Sequence, residues 1–138
     1  MSKEQNLKTQ TAFGEAINSG KLEAMVNLVA PGSVDHDPAP GQVPGPQGYI
    51  AFFTEFRSAF PDLAVAVEHI TADDNSVAMA YTVTGTHGGT FLGIPATGRK
   101  ISARGVQIAR FEGGKMVERW GSSDQLGILQ QLGVTVAG

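Results

Sequence analysis

The chain has 138 residues, 41% hydrophobic and 17% charged, with 10 basic against 13 acidic side chains and a formal net charge of -3. Such a balance suits one globular domain over residues 1–138 and excludes a disordered chain or the basic stripe of a nucleic-acid binder. There is no cysteine, so thiolate nucleophiles, disulfides and zinc–thiolate centres are excluded as well.

The N-terminal MSKEQNLKTQ lacks the apolar core of a signal peptide, and no apolar run is long enough to cross a bilayer. The expected address is the cytoplasm. A first helix is predicted from Lys3 to Asn18, opened by a Ser2/Gln5 capping box and stopped at Gly20. Its inward face carries Leu7, Phe13, Ala16 and Ile17. A second, shorter helix follows, with Leu22, Met25, Val26 and Val29 at the spacing of an apolar stripe, and Pro31-Gly32 ends it. Residues 34–46 hold four of the seven prolines, which forbids a helix and favours an ordered loop, with room for a short strand at Ser33-Val34.

Pro46 suits the first turn of a third helix. Its stripe is Tyr49, Phe52, Phe53, Phe56 and Phe60, and so many aromatics must face a core or a cavity. From Leu63 the period changes to two. Leu63–Val67, Val77–Val83, Lys100–Phe111 and Lys115–Ser123 read as strands, with turns at 73–75 and 112–114 and a loop from Gly88 to Gly98. Asp124–Leu132 reads as a closing helical turn or two. Helices first and a strand meander afterwards give a segregated α+β class: a curved antiparallel sheet under about three helices, enclosing a pocket.

Nucleophile-elbow, phosphate-loop and dinucleotide signatures are all missing. Chemistry here must therefore be acid/base and electrostatic. Asp124 follows Trp120 at the end of the last strand; regular alternation places Met116, Glu118, Trp120, Ser122 and Asp124 on one face. A carboxylate beside an indole in a pocket suits general acid/base work, while the same aspartate also suits a helix N-cap. His36, in Asp35-His36-Asp37-Pro38, is either a base with a carboxylate neighbour or a loop anchor. His69 and His87 are isolated, without ligand spacing, so no metal is expected. Parity points His87 inward, as a core residue or a pocket one. Gln107 shares its face with Ala103, Gly105 and Ala109, which suits a cavity wall or an exposed strand, while Arg104 suits the surface or a subunit interface. Trp120 and the aromatics Phe13, Phe53, Phe56 and Phe60 are core or the walls of a site for a flat polycyclic ligand.

The ordered pieces Val34-Asp35-His36-Asp37-Pro38, Phe53-x-x-Phe56-Arg57-x-x-Phe60-Pro61-Asp62-Leu63 and Gly85-Thr86-His87-x-Gly89-x-Phe91 carry a resemblance, continued by Gly93-Ile94-Pro95-x-Thr97-Gly98. Toward the C-terminus Arg110-Phe111, Gly114-Lys115, Glu118-x-Trp120, Asp124 and Gln131-Leu132-Gly133 extend it. Together they resemble the SnoaL-like polyketide cyclase family over nearly the whole chain. The resemblance implies a cone-shaped barrel of the nuclear-transport-factor-2 type and a homo-oligomer, dimer or tetramer, formed through the outer face of the sheet. It further implies intramolecular aldol ring closure without metal or cofactor on a small hydrophobic carbonyl or aromatic substrate. Asp124 matches the acid/base aspartate, and His36 and His87 match pocket histidines. Two other functions stay open within the fold: hydration or isomerisation, as of an epoxide, using a second acid (Asp35, Asp37 or Glu118) near Asp124, and non-enzymatic ligand binding.

Overall fold

The computed structural model describes residues 2–135. Ser2 Oγ accepts from Gln5 N at 3.0 Å, and Gly20, at φ 78°, supplies the left-handed stop, so α1 runs Lys3–Ser19. The Leu22–Asn27 stripe winds as a single 3₁₀ segment and not as an α-helix. Strand β1 follows directly, Val29–Asp35, running through Pro31-Gly32 where a stop was expected. An edge strand tolerates the proline because its missing N–H faces away from the partner strand. Pro46 opens α2, Pro46–Ala59. Strands β2 (Ala64–Ala72), β3 (Ser76–Thr86), β4 (Lys100–Glu112) and β5 (Lys115–Ser123) precede α3, Gln125–Gln131.

The five strands form one sheet in the order β1-β5-β4-β3-β2. All pairs are antiparallel except β1 with β5, so the sheet is mixed and not wholly antiparallel as its meander suggested. Helices α1 and α2 cover the concave face. Side chains of α1 fasten it to three parts of the sheet. Thr9 Oγ1 donates to Gly114 O at 2.7 Å, Asn6 Nδ2 to Asp74 O at 2.9 Å, and Asn18 exchanges two bonds with the Val65 backbone.

Strand β4 shows the pattern that shapes the interior. Ile101, Ala103, Gly105, Gln107, Ala109 and Phe111 are buried on one face, while the residues between them face outward. Small side chains in the middle of that face leave a hollow, and large ones at its ends (Phe111 and Met116, with Phe60 from beyond α2) seal it into a core. Phe60, Met116 and Phe111 are each essentially inaccessible, and burial of side chains this size stabilises by roughly 1.5–3 kcal/mol apiece.

One register shift decides the rest. On β5, Glu118 pairs with Arg110 and Met116 with Phe111, leaving Val117 as an extra residue. This bulge keeps Met116 inside but turns Glu118 and Trp120 outward, and brings Arg119 inward. Regular alternation had placed Met116 and Trp120 on the same face.

Candidate active site

Between the two long helices and the concave sheet lies a cavity of about 540 Å³, within the usual range for small-molecule sites. Phe13 from α1, Phe52, Phe53 and Phe56 from α2, Phe91 from the 88–98 loop and Ile128 from α3 form much of its wall. Edge-on contacts lock these rings: Phe13 meets Phe53 at 6.3 Å between centroids, and Phe52 meets Phe53 at 5.0 Å. Such walls suit the faces of a flat apolar guest.

A hydrogen-bonded polar cluster interrupts them. The Arg119 guanidinium donates through Nη1 to both oxygens of Asp35, at 3.0 and 3.2 Å, and through Nε to Gln107 Oε1 at 2.7 Å. The Asp35 side chain is only 7% exposed, and it accepts further bonds from Asp37 N at 3.0 Å and Gln42 Nε2 at 3.0 Å. Gln107 Nε2 in turn points at Gln10 Oε1 at 3.5 Å. Two phenols stand beside the cluster. Burial pushes the Tyr49 hydroxyl well up from the ordinary tyrosine range, and the Asp35 charge pushes it further. Burial also raises Tyr81, against the opposing pull of Arg119. Both therefore remain neutral O–H groups near pH 7. The Tyr81 ring lies over Gly105 on the next strand, where a Cβ would collide with it, so that glycine is required for the phenol to sit there.

The residues singled out from sequence divide into three groups. Gln107, Phe13, Phe53 and Phe56 line the cavity together. His87 and Phe60 point inward but are sealed in the core, with ring centroids 5.5 Å apart and neither among the lining residues. Thr97 N donates to His87 Nδ1 at 3.2 Å and Thr97 Oγ1 lies 2.9 Å from it, so this histidine pins the 88–98 loop.

The third group lies off the cavity. His36 and Trp120 stack on the outer face of the sheet, centroids 4.7 Å apart and 10° from coplanar, with His36 Nε2 2.8 Å from Glu118 Oε2. The bulge at Val117 turns Glu118 and Trp120 outward, and His36 faces the same way because its neighbour Asp35 on β1 points into the cavity. Bonds from His36 and Arg110 hold the Glu118 carboxyl below its usual range. Asp124 caps α3: its Oδ1 accepts from Gly127 N at 2.9 Å, and a Cβ on residue 127 would strike that carboxylate. Asp124 is exposed and is not itself a lining residue, although its neighbours Ser123 and Gln125 both are. Asp37, which lines the cavity, spends Oδ2 on Gly121 N at 2.8 Å.

Arg119, Asp35, Gln10 and the two tyrosines were not anticipated as a cluster. The signal available was an Asp on one edge strand and an Arg on its neighbour, paired in register as Asp35 with Arg119.

A sequence model described as SnoaL-like polyketide cyclase matches residues 7–132. The aklanonic acid methyl ester cyclase DnrD of Streptomyces peucetius is 31% identical over 126 residues, covering 86% of this chain and 84% of that protein. Among solved structures, IdmH from Streptomyces antibioticus is 34% identical with a TM-score of 0.81, over 94% of this chain and 99% of the other. TsrD from Streptomyces laurentii superposes with a TM-score of 0.89 at 25% identity, over 98% and 99% of the two chains.

Proposed function

The chain belongs to the SnoaL-like polyketide cyclase family, and from that premise we propose that it closes a ring in a polycyclic carbonyl compound by intramolecular aldol chemistry. The supporting observation is the cavity itself, largely apolar, with aromatic rings from α1, α2 and the 88–98 loop, and carrying a polar cluster built on Arg119, Gln107 and Gln10. A carbon flanked by two carbonyls needs only a modest base, because its enolate is delocalised. The base removes that proton, the enolate carbon attacks a second carbonyl of the same molecule, and a C–C bond forms. The alkoxide left behind takes the proton back from the protonated base. Product and substrate are isomers, so atoms and charge balance without any redox step. Aromatic walls hold the chain of the substrate folded, which supplies proximity, and hydrogen-bond donors stabilise the enolate oxygen.

Asp124 is the acid/base in this reading. Its support is its place at the end of β5 between two cavity-lining residues, Ser123 and Gln125, and its match to the family's aspartate. A second reading, a binding module without turnover, is favoured by the capping bond that Asp124 makes to Gly127. The ester acted on by DnrD is the first substrate to try.

That the chemistry uses the cavity is tested at Gly14, a lining residue of α1 where an added Cβ meets no atom within 4 Å. Leucine there should raise stability by up to ~1 kcal/mol through helix propensity. It should also intrude on the guest and lower kcat/KM by about 10–100-fold through misplacement. Gly14→Leu turning over at the wild-type rate, with an unfolding midpoint no lower, would place the reaction elsewhere.

Homo-oligomerisation through the outer face of the sheet is part of the same proposal. Val106, Ile108 and Trp120 stand exposed together there, 57%, 48% and 38% accessible. Sedimentation should give two or four times the chain mass, and Val106→Glu should shift it toward one. A wild-type monomer at micromolar concentration would contradict this.

A further inference from the structure

The hydrogen bonds at the polar end of the cavity have a fixed direction, and Arg119 sets it. A guanidinium can only donate. Its Nη1 is committed to the Asp35 carboxylate, and its Nε, 2.7 Å from Gln107, must therefore face the amide oxygen of that residue. Gln107 is then oriented with Nε2 away from Arg119 and toward Gln10, where it meets Oε1. Gln10 is in turn left with its own Nε2 facing no protein acceptor. That atom is buried, on a side chain 3% exposed, and Gln10 lines the cavity. An unpaired buried donor of this kind is costly unless something accepts from it.

We propose that Gln10 Nε2 is the substrate-recognition donor of this cavity, directed at a carbonyl or enolate oxygen of the guest by the Asp35–Arg119–Gln107 relay. The proposal rests on the polyketide reading above and deepens it. It states that the polar end of the site takes an acceptor oxygen and discriminates against the same ring system lacking one. Gln10 sits on α1 opposite β4, so it addresses the guest from the helix side while Arg119 and Gln107 stand on the sheet. Arg119 and Gln107 are positioning residues here: they act on the guest through the orientation they impose on Gln10.

Two soluble probes of one shape separate the possibilities: anthraquinone-2-sulfonate, which carries two carbonyl oxygens, and anthracene-2-sulfonate, which carries none. Their shared anionic group cancels in the ratio of dissociation constants. Titration calorimetry of the wild type should show the quinone preferred by about fivefold, the net worth of one buried hydrogen bond. Gln10→Met should bring the ratio to within about twofold of one, and an unchanged circular dichroism spectrum reports an intact fold. Gln107→Glu is the sharper variant. Its carboxylate offers Arg119 one oxygen and Gln10 the other, so the Gln10 amide turns over and presents Oε1 to the cavity. The quinone preference should then vanish or invert with Gln10 still in place.

A preference that survives both substitutions overturns the proposal, as does tight, equal binding of the two probes to the wild type, which leaves the polyketide reading standing. Failure of the wild type to bind either probe overturns that reading and this inference together.

Discussion

Asp124→Asn should lower turnover by about 10²–10⁴-fold, the usual worth of a positioned general acid/base, while leaving the fold almost untouched. The second half of that expectation makes the substitution informative. Asp124 has a structural duty as the N-cap of α3, where Oδ1 accepts from Gly127 N. Asparagine caps a helix about as well as aspartate, so the bond to Gly127 can be kept while the capacity to exchange a proton is lost. A fall in kcat with an unchanged unfolding midpoint therefore isolates the acid/base role. Asp124→Ala is less clean, since it also removes a cap worth about 0.5–2 kcal/mol. If the asparagine variant turns over as fast as the wild type, Asp124 is a cap and nothing more, and Asp37 becomes the carboxylate to test, since it lines the cavity with one oxygen bonded to Gly121.

The largest loss of stability from one substitution in the site should come at Asp35. Four hydrogen bonds from three donors converge on its carboxylate, two of them from the guanidinium of Arg119. Removing one partner of a buried ion pair leaves the other charge uncompensated, which costs about 3–5 kcal/mol. The Arg119 side chain keeps 18% of its exposure, so some water reaches it and the lower end applies, about 3 kcal/mol for Asp35→Ala. For a chain of this length that is a fall of about 6–12 °C in Tm. The double variant Asp35→Ala/Arg119→Met should be milder than Asp35→Ala alone, because the orphaned charge is gone. Equal or greater loss in the double variant would show that the pair matters through packing and not through charge. Urea unfolding of the wild type and the two variants decides it.

Particular residues show how far the sequence could be read. The Ser2/Gln5 box, Gly20 and Pro46 mark helix ends by local chemistry that tertiary contacts did not override. Strand β4 was legible for a related reason: thirteen residues of alternation set Gln107 on one face with small neighbours, and burial of that face chose the cavity wall over the exposed position that parity left open. Parity also pointed His87 inward correctly, but it carries no information about depth. Phe60 and Thr97 close over the ring, and that closure depends on residues 27 and 10 positions away.

Strand β5 is where pattern reading failed. Met116, Glu118 and Trp120 have a strand's period, yet Val117 is an additional residue opposite β4, and everything beyond it changes side. Nothing local announces such a bulge. It arises because Met116 packs into the core on one side of it while Arg119 is bonded to Asp35 on the other. His36 was lost to the outer face with Trp120, and Arg119 was gained. Strand β1 was misjudged for a simpler reason, since Pro31-Gly32 is a helix stop only if a helix precedes it. At the edge of a sheet the same dipeptide fits an extended chain.

The most direct test is ring closure by the purified wild-type protein. With aklanonic acid methyl ester supplied at micromolar concentration, chromatography coupled to mass spectrometry should reveal a product of unchanged mass and altered retention. Its rate should saturate with substrate and fall when anthraquinone-2-sulfonate competes for the cavity. An ester that binds, as shown by calorimetry or competition, and is recovered uncyclised at the rate seen in buffer alone would contradict the account and leave a ligand-binding protein.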